Sequence, residues 1–159
     1  MISGIQCETD TAKAHTLDAE FMVEMEIFGL TTSTRTASAY ALILIEAGVS
    51  RRLPIIIGAY EAQAIALEME QIKPPRPMTH DLTMQIITDL GGQIEHVVVH
   101  HLKEGTYYAN ISIKGPISNH EVDARPSDAI ALAVRFSCPI YVDELVLEEA
   151  GVEHEENLT

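Results

Sequence analysis

The chain has no tryptophan, three phenylalanines and two cysteines, and only 10 of its 159 residues are lysine or arginine. Each shortage excludes something. With so few aromatics, the core must be built from Ile, Leu, Val and Ala. Cys7 and Cys138 are far apart and form no CxxC, so neither a disulfide framework nor a zinc ribbon is expected, and both thiols are expected to be reduced. No apolar run approaches the length of a bilayer span. Residues 1–18 lack the apolar stretch of a secretory leader, so the expected location is the cytoplasm. The sequence also lacks GxGxxG, Walker A, GxSxG and HExxH patterns. Rossmann cofactor chemistry, P-loop hydrolysis and serine hydrolysis therefore have no local support.

Acid is what the chain has in excess. Its formal net charge is −14. Seven acidic residues and no Lys or Arg lie from Asp143 onward. A surface of this sign repels phosphate backbones, and no basic binding surface is evident. A bound divalent cation would reverse the field locally, so an enzyme acting on phosphates remains compatible with this charge.

Length and a 47% apolar content fit one domain with a sizeable core. The expected boundaries are a flexible lead-in over 1–18, a domain over 19–152 and an acidic tail over 153–159. Residues 20–30 alternate and read as a strand. Residues 38–46 and 51–57 read as a second and a third strand, with Ile55, Ile56 and Ile57 expected to be buried on both faces. Residues 61–72 read as a helix with Ile65, Met69 and Ile72 facing inward. The prolines of 73–77 stop it. Thr79 is the expected cap of a second helix, 80–90, with Leu82, Ile86 and Leu90 toward the core. A hairpin over 94–101 and 107–114 turns at Glu104-Gly105. A short strand, 117–123, leads to a third helix, 126–137, which Pro126 opens and whose apolar circumference makes it central. A last strand covers 139–142. The predicted fold is α+β, a mixed and largely antiparallel sheet with three main helices in one domain.

Four places carry candidate chemistry. In Asp123-Ala-Arg-Pro-Ser-Asp128, two carboxylates and Arg125 flank the start of a helix, where free N–H groups favour anions. They would serve to hold a Mg²⁺ and contact a phosphate. They serve equally as a structural ion pair, with Asp128 complementing the helix dipole. His80-Asp81 fits a general base or metal ligand, and fits equally an incidental His beside a first-turn Asp. Glu61 is a further carboxylate at a helix start, or a first-turn Glu with no other duty. His96, His100 and His101 match no zinc spacing and read as a solvated strand face. The tetrapeptide Ala64-Ile-Ala-Leu67 recurs as Ala129-Ile-Ala-Leu132, each in a helix with an acid in its first turn.

Three ordered segments resemble the bifunctional nuclease domain family. They are Leu53-Pro-Ile-Ile-Ile-Gly-Ala-Tyr-Glu-Ala-Gln-Ala-Ile-Ala-Leu67, Arg76-Pro-Met-Thr-His-Asp-Leu82 and Val122-Asp-Ala-Arg-Pro-Ser-Asp-Ala-Ile-Ala-Leu-Ala-Val-Arg135. The likeness covers roughly 20–152. It implies an α+β fold, hydrolysis of DNA or RNA, and self-association as a homo-oligomer such as a dimer. On the matched positions, Glu61, Asp123 and Asp128 would hold Mg²⁺ or Mn²⁺. His80 with Asp81 would activate water, and Arg125 would steady phosphate charge. The competing reading is a non-catalytic binding or regulatory module whose charged motifs are structural and dimer-forming.

Overall fold

The computed structural model describes residues 21–32 and 38–153. The lead-in, Cys7 and residues 154–159 of the tail lie outside the described residues.

In chain order the elements are β1 Met22–Thr32, β2 Ala39–Glu46, β3 Arg51–Gly58, α1 Ala59–Met69, α2 Thr79–Asp89, β4 Gln93–Lys103, β5 Thr106–Lys114, β6 Asn119–Ala124, α3 Pro126–Phe136, β7 Ile140–Asp143, α4 Glu144–Ala150 and β8 Val152–Glu153. The strands make one sheet in the order β6-β5-β4-β7-β1-β2-β3-β8. Its two outer strands do not pair, so it is not closed. All neighbours are antiparallel except β4 and β7, which run parallel. This is the mixed, largely antiparallel α+β sheet read from the sequence. The three expected helices are each 11 residues long, and α4 adds seven.

Local chemistry explains the joints. Lys103 pairs with Thr106, which leaves Glu104 and Gly105 as a two-residue loop. Both have positive φ, 52° and 76°. That is the type I′ turn, whose twist matches the flanking strands. Pro126 occupies the first turn of α3, where a missing N–H costs nothing. Ser137 closes α3 in a left-handed conformation, φ 51°.

The core joins Leu42, Leu44, Leu53, Ile55, Ile65, Ile94, Val97, Val99, Ile130, Val142 and Leu147. Helix α3 is central, as its composition implied. Residues Ala129 to Ala133 are all buried, and their small side chains let α3 lie against α1, α2, β4 and β5 at once. Burial pushes the Cys138 thiol up to about 11, so it stays a protonated thiol.

Five sequence readings change. Ile56 is exposed while Ile55 and Ile57 are buried, so β3 buries one face only. Helix α1 ends at Met69, and Met69 and Ile72 are exposed. Thr79 is the first residue of α2 and Met78 the cap. The Asp81 carboxylate accepts the Met78 N–H at 2.9 Å. The largest change is on α2, which has no fully buried residue. Leu82, Ile86 and Leu90 face outward, while Met84 and Ile87 pack on the core. Two apolar stripes share this helix, and periodicity alone does not say which one turns inward. The histidines of β4 also depart from a uniformly solvated face. His96 is half-buried edge-on against Tyr141, 5.7 Å between ring centres.

Candidate functional site

Helices α1, α2 and α3 each follow an extended residue, and their first turns carry Glu61, His80 and Asp128. These first turns meet. Arg125 is the cap residue of α3, with extended φ and ψ of −67° and 144°. Its main-chain carbonyl accepts the N–H groups of Asp128 and Ala129, both at 3.0 Å. Its guanidinium turns back over the helix start. Nε donates to Asp128 Oδ2 at 2.8 Å, and Nη2 meets Glu61 Oε1 at 3.0 Å. The other Asp128 oxygen, Oδ1, is 2.9 Å from His80 Nε2. The result is a continuous chain Glu61–Arg125–Asp128–His80 across three helix starts.

Gly58 permits one end of it. The Glu61 carboxylate folds over the Gly58 Cα, so closely that a Cβ there would overlap it. An alanine at 58 would push Glu61 Oε2 aside.

Charge organises the chain. Burial pushes Asp128 up, but hydrogen bonds from Arg125 and His80 outweigh it and hold the carboxyl below the usual range. The Asp128 hydrogen bond, reinforced by Glu61, raises the Arg125 guanidinium further. Asp128 is therefore ionised at neutral pH and acts only as an acceptor. A neutral His80 then carries its proton on Nε2, and its lone pair sits on Nδ1. Arg125 is 66% exposed, while His80 is largely covered. The arrangement is a solvent-facing cation backed by an oriented imidazole.

Asp81 belongs to a different contact. Its Oδ1 accepts Arg135 Nε at 2.7 Å. Arg135 folds back along α3 and donates Nη1 to the Ala131 carbonyl at 2.8 Å. It is only 3% exposed. Burial pushes Asp81 up, but the Met78 N–H and Arg135 outweigh it and leave it below the ordinary value. This pair pins the start of α2 to the last turn of α3. It also lines a cavity of about 330 Å³ between the end of α1, the proline loop and α2.

Of the six residues singled out from sequence, four are thus joined directly. Asp81 is one residue from His80 but faces Arg135. Asp123 lies on the exposed strand β6, opposite Asn110, and forms no ion pair among the described residues. The structural pairing of Asp123 with Arg125 weighed from the sequence is replaced by Asp128 and Glu61. Two arginines escaped the sequence reading. Arg135 had one signal, the single basic residue on a helix apolar nearly all round, which requires a partner. Arg51, which binds Glu46 and Glu144, had none, because Glu144 is 93 residues away.

A divalent cation does not fit this arrangement of side chains. Glu61 and Asp128 each give an oxygen to Arg125. Among the described residues no three His, Cys, Asp or Glu side chains are grouped to hold a metal. Mg²⁺ or Mn²⁺ at these carboxylates would require Arg125 to move away.

Comparison with known proteins adds a second line of observation. Residues 42–155 match the bifunctional nuclease domain. An uncharacterized protein of Mycobacterium tuberculosis is 49% identical over 111 residues, which is 70% of this chain and 66% of the relative. Bifunctional nuclease 1 of Oryza sativa subsp. japonica is 26% identical over 122 residues, 74% of this chain and 37% of the plant protein. Bifunctional nuclease 1 of Arabidopsis thaliana is 27% identical over 116 residues, 70% of this chain and 36% of that protein. The chain therefore spans just under two thirds of the mycobacterial relative and little more than a third of the plant ones.

Proposed function

From the premise that the chain belongs to the bifunctional nuclease domain family, we propose that it hydrolyses phosphodiester bonds of DNA, RNA or both. The observation that carries this reading is the exposed guanidinium of Arg125 standing over the His80–Asp128 pair where three helices start.

Each group has a task in this proposal. Arg125 meets a non-bridging phosphate oxygen and stabilises the charge that builds as water attacks phosphorus. The three helix starts add partial positive charge on the same side. His80 takes the proton of the attacking water at Nδ1. Asp128 holds Nε2–H and steadies the imidazolium that forms. The departing sugar oxygen takes its proton from a water on the opposite face, and the imidazolium later gives its own proton to solvent. Glu61 orients Arg125. Asp81 is a positioning residue, which fixes the helix turn that carries His80 through its bond to Arg135. No step in this scheme passes through a cation.

The test is cleavage of single-stranded RNA and DNA oligonucleotides by monodisperse protein, with Mg²⁺, with Mn²⁺ and with EDTA. Cleavage by the wild type is expected, and its loss in His80→Ala and Arg125→Ala at unchanged circular dichroism. Activity that EDTA abolishes would mean that a cation displaces Arg125 from Glu61 and Asp128. No cleavage of either polymer in any arm would overturn the nuclease reading.

A further inference from the structure

The cavity between the end of α1, the proline loop and α2 takes no part in the proposed hydrolysis. Its volume of about 330 Å³ is at the lower end of the range for small-molecule pockets. Leu67, Ile72, Leu82 and Met84 give it apolar walls. Ile72 and Leu82 are 56% and 53% exposed, so they form its mouth. Arg135 lines it as well. An arginine carries five N–H donors. Here Nε bonds Asp81 and Nη1 bonds the Ala131 carbonyl. Nη2 donates to nothing among the described residues, yet it is not one of the sealed, unpartnered atoms. The side chain is only 3% exposed, and the little surface it keeps opens on the cavity. An enclosed cation with idle donors among apolar walls calls for an acceptor that brings an apolar body with it.

We propose that this cavity binds a small free carboxylic acid with a compact apolar body. Its carboxylate meets Arg135 Nη2, and its body lies against the apolar walls. Charge selects the anion. The charged lining residues are two acids, Glu68 and Asp81, and two bases, Lys73 and Arg135. Asp81 is already satisfied, one oxygen by Arg135 and the other by the Met78 N–H. Glu68 opposes an anion, and Lys73 offsets it with an exposed ammonium that has no ion pair among the described residues. Met78 caps α2, so the positive end of that helix lies in the wall and tips the balance toward negative charge. The acid uses donors that Asp81 does not, so the Asp81–Arg135 pair stays in place. Shape selects a free acid over the C-terminus of a peptide. Peptide ends are held by strand edges or by successive backbone N–H groups. This cavity is walled by helix sides and by Pro74, Pro75 and Pro77, which have no N–H to give.

The experiment is titration calorimetry of the full chain with hexanoate and benzoate, their amides hexanamide and benzamide, acetate, and acetyl-leucyl-leucine as a peptide end. At least one of the two acids should bind saturably, and its amide at least about tenfold more weakly, because the amide makes no charge-assisted bond to Arg135. Acetate, a carboxylate without a body, should not saturate. Arg135→Lys keeps a charge beside Asp81 but lacks Nη2, and should erase the preference for acid over amide. Leu82→Glu should abolish binding while the melting temperature stays within a few degrees, because that side chain is already half in water. This second variant decides the matter if Arg135→Lys does not fold. The proposal is overturned if neither acid binds, if an amide or acetate equals the acid, or if the acid still binds Leu82→Glu. It is overturned too if a folded Arg135→Lys keeps the preference for the acid, or if the peptide end binds as well as the free acid. The readout is heat of binding, so the outcome is independent of whether oligonucleotides are cleaved.

Discussion

Two arginines sit at the two ends of α3, and each holds a carboxylate. Arg125 at the start is mostly in water and bridges Asp128 and Glu61. Arg135 at the end is almost wholly enclosed and holds Asp81. The residue types and bond lengths are nearly the same, yet the physical consequences differ. An enclosed pair that loses one partner leaves the other desolvated and unmatched. An exposed bridge that loses its arginine opens its site to water, although Glu61 and Asp128 are themselves only 18% and 30% exposed. The end in water is free to exchange a carboxylate for a phosphate, and the enclosed end is not. The first can serve chemistry while the second serves architecture.

Four measurements would break or sharpen that contrast. The largest effect is expected at the exposed end. His80→Ala should lower the cleavage rate by roughly 10²–10⁴-fold, and Arg125→Ala by about 10²-fold, in single-turnover assays. The melting temperature of Arg125→Ala should stay within a few degrees of the wild type. If Arg125→Ala instead unfolds the domain, the exposed end is structural too and the contrast collapses.

Next comes the enclosed end. Arg135→Ala should cost about 3 kcal/mol, the low end for a buried pair, because Asp81 keeps some contact with water. For a chain of this length that is a fall of roughly 6–12 °C in melting temperature by calorimetry. Cleavage measured well below the new midpoint should survive. An unchanged midpoint would show that enclosure of Arg135 adds nothing to stability.

Acid should act on both ends together. Asp81 and Asp128 each lie below the ordinary carboxylate value when folded. The unfolded chain therefore binds more protons in that range, and stability rises with pH through it. The contribution is complete above the ordinary value, about 3.9, and is lost as pH falls through the depressed folded values. Urea midpoints measured from pH 5 downward should trace this loss. Arg135→Ala should flatten part of it by removing one of the two groups, with the Met78 N–H, that hold Asp81 down.

The smallest effect concerns binding. With Arg125 as the phosphate contact on an acidic protein, affinity for single-stranded nucleic acid should depend weakly on salt. Arg125→Ala should reduce the logarithmic salt slope by about 0.7, read by fluorescence anisotropy. A steep slope that Arg125→Ala leaves unchanged would locate the binding surface elsewhere.

The same contrast explains what was readable from the sequence. Glu61, His80, Arg125 and Asp128 were visible because helix starts announce themselves locally, through Pro126, Gly58 and first-turn acids. Their convergence follows from α1 and α2 both packing on α3, which the sequence did not announce. Asp123 was misplaced in the cluster because proximity in sequence says nothing of direction, and the Arg125 side chain turns toward the helix. Asp81 was read as a partner in His80 chemistry because its real partner lies 54 residues away. Adjacent residues on a helix point about 100° apart, so neighbours in sequence serve different contacts. The outward stripe of α2 was read as core because Leu82, Ile86 and Leu90 are apolar. Their periodicity was right and their direction was not.

The place of β7 in the sheet has a consequence for how the chain becomes a protein. Strands β1 to β3 form one antiparallel meander and β4 to β6 another. Only β7 joins them, parallel to β4 and antiparallel to β1. Yet β7 begins at Ile140, C-terminal to all six strands of the two meanders. During synthesis both halves emerge and fold back on themselves while the seam between them is still empty. The sheet closes over its last gap only after α3 has been delivered, with β7 behind it, so assembly is controlled from the C-terminal side. In pulse-labelled refolding, the amides of β7 should gain protection from exchange after those of the β4–β5 hairpin.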